Sequence, residues 1–481
     1  MSVQTLKEWP ASLRFWSEFA SQRTPVVLDA GLVMDFARLT AWSDEYLREK
    51  AGAAKLLIER RSASTDSFGK GQKVSMSFGD FCKRLQGSDD LLYLSSQQLR
   101  TARNGNPDCL GPPLDYLTAD IPLQPQITGH LLPQQINMWM GLAKDGASSG
   151  LHHDYHDNLY ILLRGRKRFR LFPPDHAHLM YTHGNVAQIY PNGRIVYEGQ
   201  GNVAEDGADE DEVDRWQRKQ DAEQRLAAAE EALAEGAQGA AQDLEAAEAQ
   251  LDALLDSHLR PARPTKRAKH DHVHEQDEQT VIPGHDEDDE EDEDEDELAS
   301  GSEFGGLADD FQDDYQGSDD DSDAGAGAPP SNAGQNDAHD ALDPAPCNFS
   351  RVDLSMPAKQ LAKQFPNFPG LKAATEVELK AGQMLYLPAG WFHEVTSFSD
   401  GPAQTHLALN YWFQPPDNLD ASPAGFASPY RSAFWRSLWE GRNNGKDALH
   451  NIGRRNTKHD GRKAARTWQP TRPYESAQLG L

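Results

Sequence analysis

Ser149-Gly150-Leu151-His152-His153-Asp154-Tyr155-His156-Asp157-Asn158-Leu159-Tyr160-Ile161-Leu162-Leu163 is the stretch on which the fold turns. Asn158–Leu163 reads as a strand, and the residues before it lead into it extended. Side chains two apart in an extended chain project to one side, so His152 and Asp154 share a face and His153 points away. A further histidine, His393, follows Leu385-Tyr386-Leu387-Pro388-Ala389-Gly390-Trp391-Phe392. Two imidazoles and one carboxylate on one side of a metal leave three open positions, the pattern that suits non-heme Fe(II) oxygenases. A His-x-Asp pair alone is also what a surface hydrogen bond looks like, so the surroundings must decide. The neighbouring competitors are His153, His156, Asp157 and Glu394. His153 falls on the wrong face, His156 opens the next element, and Glu394 points away from the side of His393 if that stretch is extended.

Working outward, strands are expected at Gln135–Gly141 and Lys167–Phe172, with Pro173-Pro174 ending the second because proline cannot donate to a ladder. A second set is expected at Glu376–Leu379, Met384–Leu387, Phe392–Ser397 and His406–Phe413. Upstream, Pro25–Leu28 and Lys55–Glu59 read as strands. Ser43–Ala51, with Ser43 as N-cap, and Ser75–Leu85 read as helices.

Four motifs in order carry a family likeness: Asn137-Met138-Trp139-Met140-Gly141; Ser149 to Tyr160 with the basic strand Arg164–Phe172; Ala381–Pro388 with Trp391-Phe392-His393; and Asn410-Tyr411-Trp412-Phe413. Over residues 12–190 and 348–416 the chain resembles the JmjC (cupin-like) family of 2-oxoglutarate-dependent dioxygenases. Within it, the likeness is to small hydroxylases such as factor inhibiting HIF, the JmjC lysyl hydroxylases and the tRNA wybutosine hydroxylase. The resemblance implies a mainly β fold with flanking helices, a double-stranded β-helix (jelly roll). It implies Fe(II) as metal, with 2-oxoglutarate and O2 as cosubstrates. It places His152, Asp154 and His393 as iron ligands, and Lys167 and Tyr93 on the distal carboxylate of 2-oxoglutarate. Ser149 stands where relatives often carry threonine for that carboxylate, and Asn158 and Asn410 line the pocket. The residue types suit the chemistry, since a dicarboxylate needs a cation at its far end and a phenol or hydroxyl to complete its hydrogen bonds.

Composition bounds the rest. The chain has 481 residues and a formal net charge of −29. That charge is local: residues 201–350 hold 45 acidic and 9 basic residues, a net of −36, leaving +7 on the remainder. Cys82, Cys109 and Cys347 form no CxxC pair, which points to a reducing, intracellular compartment. Met1–Pro10 has no signal-peptide pattern, and no apolar stretch is long enough to span a bilayer, so no membrane association is expected.

The expected organisation is a mixed α/β support region at 1–120 and a catalytic domain at 121–416, with barrel halves near 134–190 and 348–416. An acidic low-complexity insert occupies 200–347 and a basic helix and tail 421–481. Within the insert, Glu212–Leu259 reads as one or two exposed Ala/Glu-rich helices broken near Gly236 and Gly239. Leu226/Leu233 and Leu244/Leu251 at heptad spacing suggest a short coiled coil. Asp286–Glu297, twelve consecutive acids, and Asp309–Asn336 bury too little apolar surface to order and are expected to be disordered. Lys266-Arg267-Ala268-Lys269 resembles a nuclear localisation signal as much as a chance basic patch, so nucleus and cytoplasm are both open. Tyr430, Phe434 and Leu438 recur at helical spacing beside Trp435 and Trp439, a stripe for a homodimer or for the chain's own barrel.

The leading function is hydroxylation of a protein side chain with decarboxylation to succinate and CO2. A histone lysine demethylase, a tRNA-modifying hydroxylase and a non-catalytic binding module are the alternatives. A protein substrate is expected. The acidic insert suits a basic, histone-like protein, and the basic end Arg454–Arg466 suits nucleic acid or the insert itself.

Overall fold

The computed structural model describes residues 2–63, 71–99, 109–143, 146–259, 345–399 and 405–441. Its centre is a pair of facing antiparallel sheets. In the larger, Met384–Leu387, Asp157–Arg164, His406–Phe413 and Pro133–Gly141 lie side by side. In the smaller, Thr375–Lys380, Arg166–Phe172 and Phe392–Phe398 are neighbours, and the far edge of Phe392–Phe398 pairs with Ala147–Ser148 and His152–His153. Strands consecutive in sequence, such as Asp157–Arg164 and Arg166–Phe172, stand in opposite sheets. This is the double-stranded β-helix expected from the sequence.

Alternation sorts each strand. Along Asp157–Arg164, Tyr160 and Leu162 face between the sheets with Phe169, Leu171, Leu385, Leu387 and Ala408. Leu159 and Ile161 face outward into a larger core with Phe15, Phe19, Phe36, Met138, Tyr386 and Tyr411. Both faces are covered, which is why this strand reads as a near-continuous apolar run.

The N-terminal region extends the larger sheet at both edges. Gln4–Leu6 and Val26–Leu28 follow Met384–Leu387, while Leu92–Leu94, Lys55–Arg60 and Gln72–Ser77 follow Pro133–Gly141. The helix Asp44–Ala51 is capped by Ser43, whose hydroxyl accepts the Tyr46 N–H. The helix expected at Ser75–Leu85 starts later, at Phe78. Ser75–Ser77 complete a hairpin strand against Lys55–Leu57, and Ser77 is the N-cap, accepting from the Asp80 N–H. A cap has extended backbone, so it joins strand to helix without a loop.

The packed fold runs past residue 200. Val203 and Ala208 are buried, and Asp209 caps the helix Glu210–Ala234. It resumes with Val352, Leu354, Leu361, Phe365 and Phe368, which pack on Leu151, Phe172 and Phe392. The helices Glu210–Ala234 and Ala240–Leu259 are separated at Gly236 and Gly239, both at positive φ. Ala222, Ala229, Ala240 and Ala247 are their buried positions, while Leu233 stays exposed. Small side chains thus occupy the seam that the leucine spacing had suggested. Trp216 of the first helix meets Phe434 edge-on at 5.9 Å. Tyr430, Phe434 and Trp439 are buried in their own chain, and the Tyr430 hydroxyl donates to Gln414 O and accepts from Leu132 N. Lys266–Lys269, Asp286–Glu297, Asp309–Asn336 and Arg454–Arg466 lie outside the described residues. Among the described residues no helix is long and apolar enough to cross a membrane.

Asp157 opens its strand wholly buried, with the Arg23 guanidinium across it as a two-pronged ion pair. The Tyr386 hydroxyl donates to Oδ2 at 2.5 Å and the Ala389 N–H to Oδ1 at 3.0 Å. Removing one partner of a buried pair leaves an uncompensated charge, which typically costs about 3–5 kcal/mol. Arg23→Ala is therefore expected to destabilise the fold by that order, read as a lowered urea midpoint. An unchanged midpoint would contradict this account.

Candidate metal centre

His152 lies on the short strand His152–His153, which pairs with Phe392–Phe398 so that His152 stands opposite His393. Asp154 follows as the chain leaves that strand. The metal-binding atoms of His152, Asp154 and His393 all lie within 4.8 Å of one another. His152 Nε2 is 4.0 Å from Asp154 Oδ1, and His393 Nε2 is 3.8 Å from Oδ2.

Each imidazole is held from behind. His152 Nδ1 is 3.1 Å from Gly150 O, and His393 Nδ1 is 2.9 Å from Trp391 O. Because carbonyls only accept, both Nδ1 atoms act as donors, and the two Nε2 atoms are left facing Asp154. This is the outer-shell arrangement that orients metal-binding histidines. Burial, helped by His393, pushes the His152 pKa down to about 4, so the ring is neutral, as metal binding requires. Burial opposes ionisation of Asp154, but His393 and His152 outweigh it and hold the carboxyl below its ordinary value. The donor set and its geometry fit an Fe(II) facial triad.

A relay of neutral amides supports the carboxylate. Trp139 Nε1 donates to Asn410 Oδ1 at 2.8 Å, Asn410 Nδ2 to Asn158 Oδ1 at 3.1 Å, and Asn158 Nδ2 to Asp154 Oδ2 at 3.1 Å. The Trp412 indole N–H reaches the same oxygen at 3.3 Å. His153 points away as alternation requires, and its Nε2 lies 2.7 Å from the Tyr197 hydroxyl in the second core.

The turn that delivers His393 is closely fitted. Gly390, at φ +76°, lies so near Gly193 O that a Cβ there would fall 1.8 Å from it. The Gly390 N–H donates to Asp154 O at 3.0 Å, coupling two ligand segments through the backbone.

Lys167 faces the same interior, directly opposite Ser397 in register, whose Oγ accepts from Nζ at 2.6 Å. It is 1 % exposed, and among the described residues no carboxylate pairs with it. Burial pushes its pKa down to about 7. His406 and Tyr93 stand at this end of the barrel, ring centres 5.8 Å apart. Burial, then the charges of Lys167 and Arg61, holds His406 well below its ordinary value, and burial raises Tyr93. Ser149 is engaged with backbone: its hydroxyl donates to Gly150 O and accepts from Val395 N.

Several contributors escaped the sequence reading. Ser397 is four residues after His393 and Trp412 two after Asn410, so strand parity alone would have placed both on the interior face. Phe349 gave no such signal. It arrives after residues 260–344, bridges to His152 in antiparallel register, and stacks on that ring at 4.7 Å and 9°.

Fold and ligand set together define a cupin-type metal barrel. A model of the cupin-like domain family matches residues 12–419, and the chain belongs to that family, among its JmjC proteins. It is 30% identical over 454 residues to JmjC domain-containing protein 4 of Schizosaccharomyces pombe, covering 89% of this chain and 86% of that one. It is 30% identical over 179 residues to lysine-specific demethylase 8 of Danio rerio, covering 36% and 41% of the two chains. The human bifunctional peptidase and (3S)-lysyl hydroxylase JMJD7 is 23% identical over 186 residues, covering 36% of this chain and 55% of its own.

Outer-shell partners of metal ligands typically contribute 10–100-fold to affinity. Asn158→Ala, which breaks the amide relay, is expected to weaken Fe(II) binding by that order in an anaerobic titration. Unchanged affinity would remove the relay from any role at the metal.

Proposed function

We propose that the chain is an Fe(II)- and 2-oxoglutarate-dependent dioxygenase that hydroxylates a protein side chain. JmjC proteins are generally 2-oxoglutarate oxygenases, and the His-Asp-His group is present. The observation that carries the reading is Lys167, a buried lysine with no acid beside it among the described residues, inside the same barrel as the triad. Burying a cation without a counter-charge is unfavourable, and an incoming carboxylate supplies the counter-charge.

In this reading His152, Asp154 and His393 hold the iron. Lys167, with Ser397 and Tyr93, receives the distal carboxylate of 2-oxoglutarate, and Ser149 supports the adjoining wall. Asn158 and Asn410 fix Asp154 through the relay. When bound, iron and 2-oxoglutarate supply the oxidation, with decarboxylation to succinate and CO2. The apolar wall of Tyr160, Leu162, Phe169, Leu171 and Leu385 excludes water. The relatives named for lysyl hydroxylation and lysine demethylation favour a protein side chain as the target.

Two outcomes follow. Wild-type protein with Fe(II) and 2-oxoglutarate is expected to form succinate, and His393→Ala to form none; equal succinate from both would end the assignment. Lys167 supplies a pH dependence. Its folded pKa of about 7 lies below the ordinary 10.5, so between those values the unfolded chain binds a proton that the folded chain lacks. For this group, stability without ligand therefore rises with pH across that window. The cosubstrate needs the protonated form, so its affinity falls over the same window, by up to about tenfold per pH unit for one linked proton. Calorimetry in buffers of different ionisation enthalpy reads this as proton uptake on binding 2-oxoglutarate. No uptake at pH 8 would count against Lys167 as the anion's partner.

A further inference from the structure

We propose that Phe349 is a positioning residue of the metal centre, whose ring fixes the plane of the His152 imidazole and favours the metal-bound form of that ligand. The inference rests on the reading of His152, Asp154 and His393 as metal ligands. It adds to them a residue from the segment that returns after residues 260–344.

The two histidines are unequally held. His393 lies on the seven-residue strand Phe392–Phe398, paired along its length with Arg166–Phe172, and its side chain is 4 % exposed. His152 lies on a strand of two residues, and its side chain is 14 % exposed. The contact from Nδ1 to Gly150 O fixes one atom of the ring but not its plane, because the last torsion of a histidine is broad. Phe349 removes that freedom. Its ring lies on the imidazole at 4.7 Å between centres and 9° between planes. The His393 ring is tilted by 53° at 4.4 Å, and among the described residues no other ring lies parallel to His152.

The stack follows from the backbone register. Phe349 bridges His152 in antiparallel sense. The Ser350 N–H donates to Leu151 O at 2.8 Å and the His153 N–H to Asn348 O at 3.3 Å, so the bonds fall on either side of the pair and not within it. In such a non-hydrogen-bonded pair the Cα atoms approach to about 4.5 Å and the side chains are closest. Asn348 adds a clamp, its Nδ2 donating to His153 O at 2.7 Å. The other edge of the segment is tied as well. The His183 N–H donates to Phe349 O at 2.8 Å, and the Gly184 N–H to Cys347 O at 3.0 Å. Held from both edges, the backbone of Phe349 keeps its ring in place over the ligand.

Phe349 is half-buried and belongs to none of the apolar clusters among the described residues. A leucine would fill its space. What leucine lacks is a flat face carrying the negative lobe of an aromatic quadrupole. An imidazole that gives its lone pair to a dication becomes electron-poor, and that face attracts it more than it attracts the free ligand. The stack therefore favours the metal-bound form, and it holds the ring in the plane from which Nε2 faces Asp154 Oδ1 at 4.0 Å.

The test compares the full chain with Phe349→Leu and Phe349→Tyr, using Fe(II) alone under anaerobic conditions. Calorimetric titration is expected to show affinity weakened about tenfold in Phe349→Leu, the low end for an outer-shell partner, and kept within about twofold in Phe349→Tyr. Thermal midpoints separate positioning from packing. A metal that binds only the folded chain raises the midpoint by an amount set by its affinity. Positioning predicts that this rise shrinks in Phe349→Leu and is restored in Phe349→Tyr. Packing alone predicts midpoints lowered equally with and without metal, and an unchanged rise. In the Co(II)-loaded protein, the visible absorption bands should shift in Phe349→Leu and not in Phe349→Tyr. Should the leucine variant not fold, Phe349→Met, also ringless, takes its place. The proposal fails if the ringless variant keeps wild-type affinity, or if Phe349→Tyr loses as much as it does. Wild-type protein that takes up no Fe(II) would overturn the metal-centre reading itself, a failure seen before any variant is made.

Discussion

Asp157 is the pivot of this molecule. Its carboxylate is dry, and everything that touches it comes from a different part of the chain: Arg23 from the N-terminal region, Tyr386 from a barrel strand, Ala389 from the turn before His393. Arg23 in turn donates to Asn192 O, while its own carbonyl accepts from the Trp391 indole. Three residues before Asp157 lies Asp154, and four residues after Ala389 lies His393. One buried ion pair thus sets the distance between two of the three candidate ligands. Neither needs to be long or rigid itself, because both hang from the same fixed point.

The barrel was legible because its chemistry repeats every two residues. Leu159 and Ile161 outward, Tyr160 and Leu162 inward, and His152 apart from His153 are all consequences of strand parity. The family motifs then marked which strand was which. What parity could not show was how the ends of strands are finished. Ser75–Ser77 went to a hairpin because a capping serine can close a strand and open a helix at once. The alanine seam between Glu210–Ala234 and Ala240–Leu259 was hidden for another reason. Leucines draw the eye at heptad spacing, but two helices approach most closely where side chains are smallest. Ser149 has a part that position-by-position transfer did not show: its hydroxyl ties two distant segments, donating to Gly150 O and accepting from the Val395 N–H. Phe349, on a segment far along the chain, belonged to no motif.

Lys167 and Asn137 share a physical character. Each is deeply buried, on the inner face, and short of partners in the protein alone. Native interiors ordinarily satisfy such groups, so leaving two of them in one small barrel concentrates unmet demand where a ligand can meet it. One demand is for negative charge, the other for hydrogen bonds.

The interleaving of the two sheets has a consequence for synthesis. Asp157–Arg164 is flanked on both sides by strands made later, Met384–Leu387 and His406–Phe413, and Arg166–Phe172 likewise by Thr375–Lys380 and Phe392–Phe398. Neither early strand has a neighbour in its own sheet until the ribosome has passed residue 375. At typical elongation rates of about 5–20 residues per second, some 200 residues amount to roughly 10–40 s during which two strands wait with their edges unpaired. Such edges are templates for association between chains. The residues translated in that interval are the most acidic of the sequence, with a net charge of −36 over 201–350. Like charge on every nascent copy opposes their encounter. The long acidic interruption thus sits in the one interval of the chain's history when its barrel is least able to protect itself.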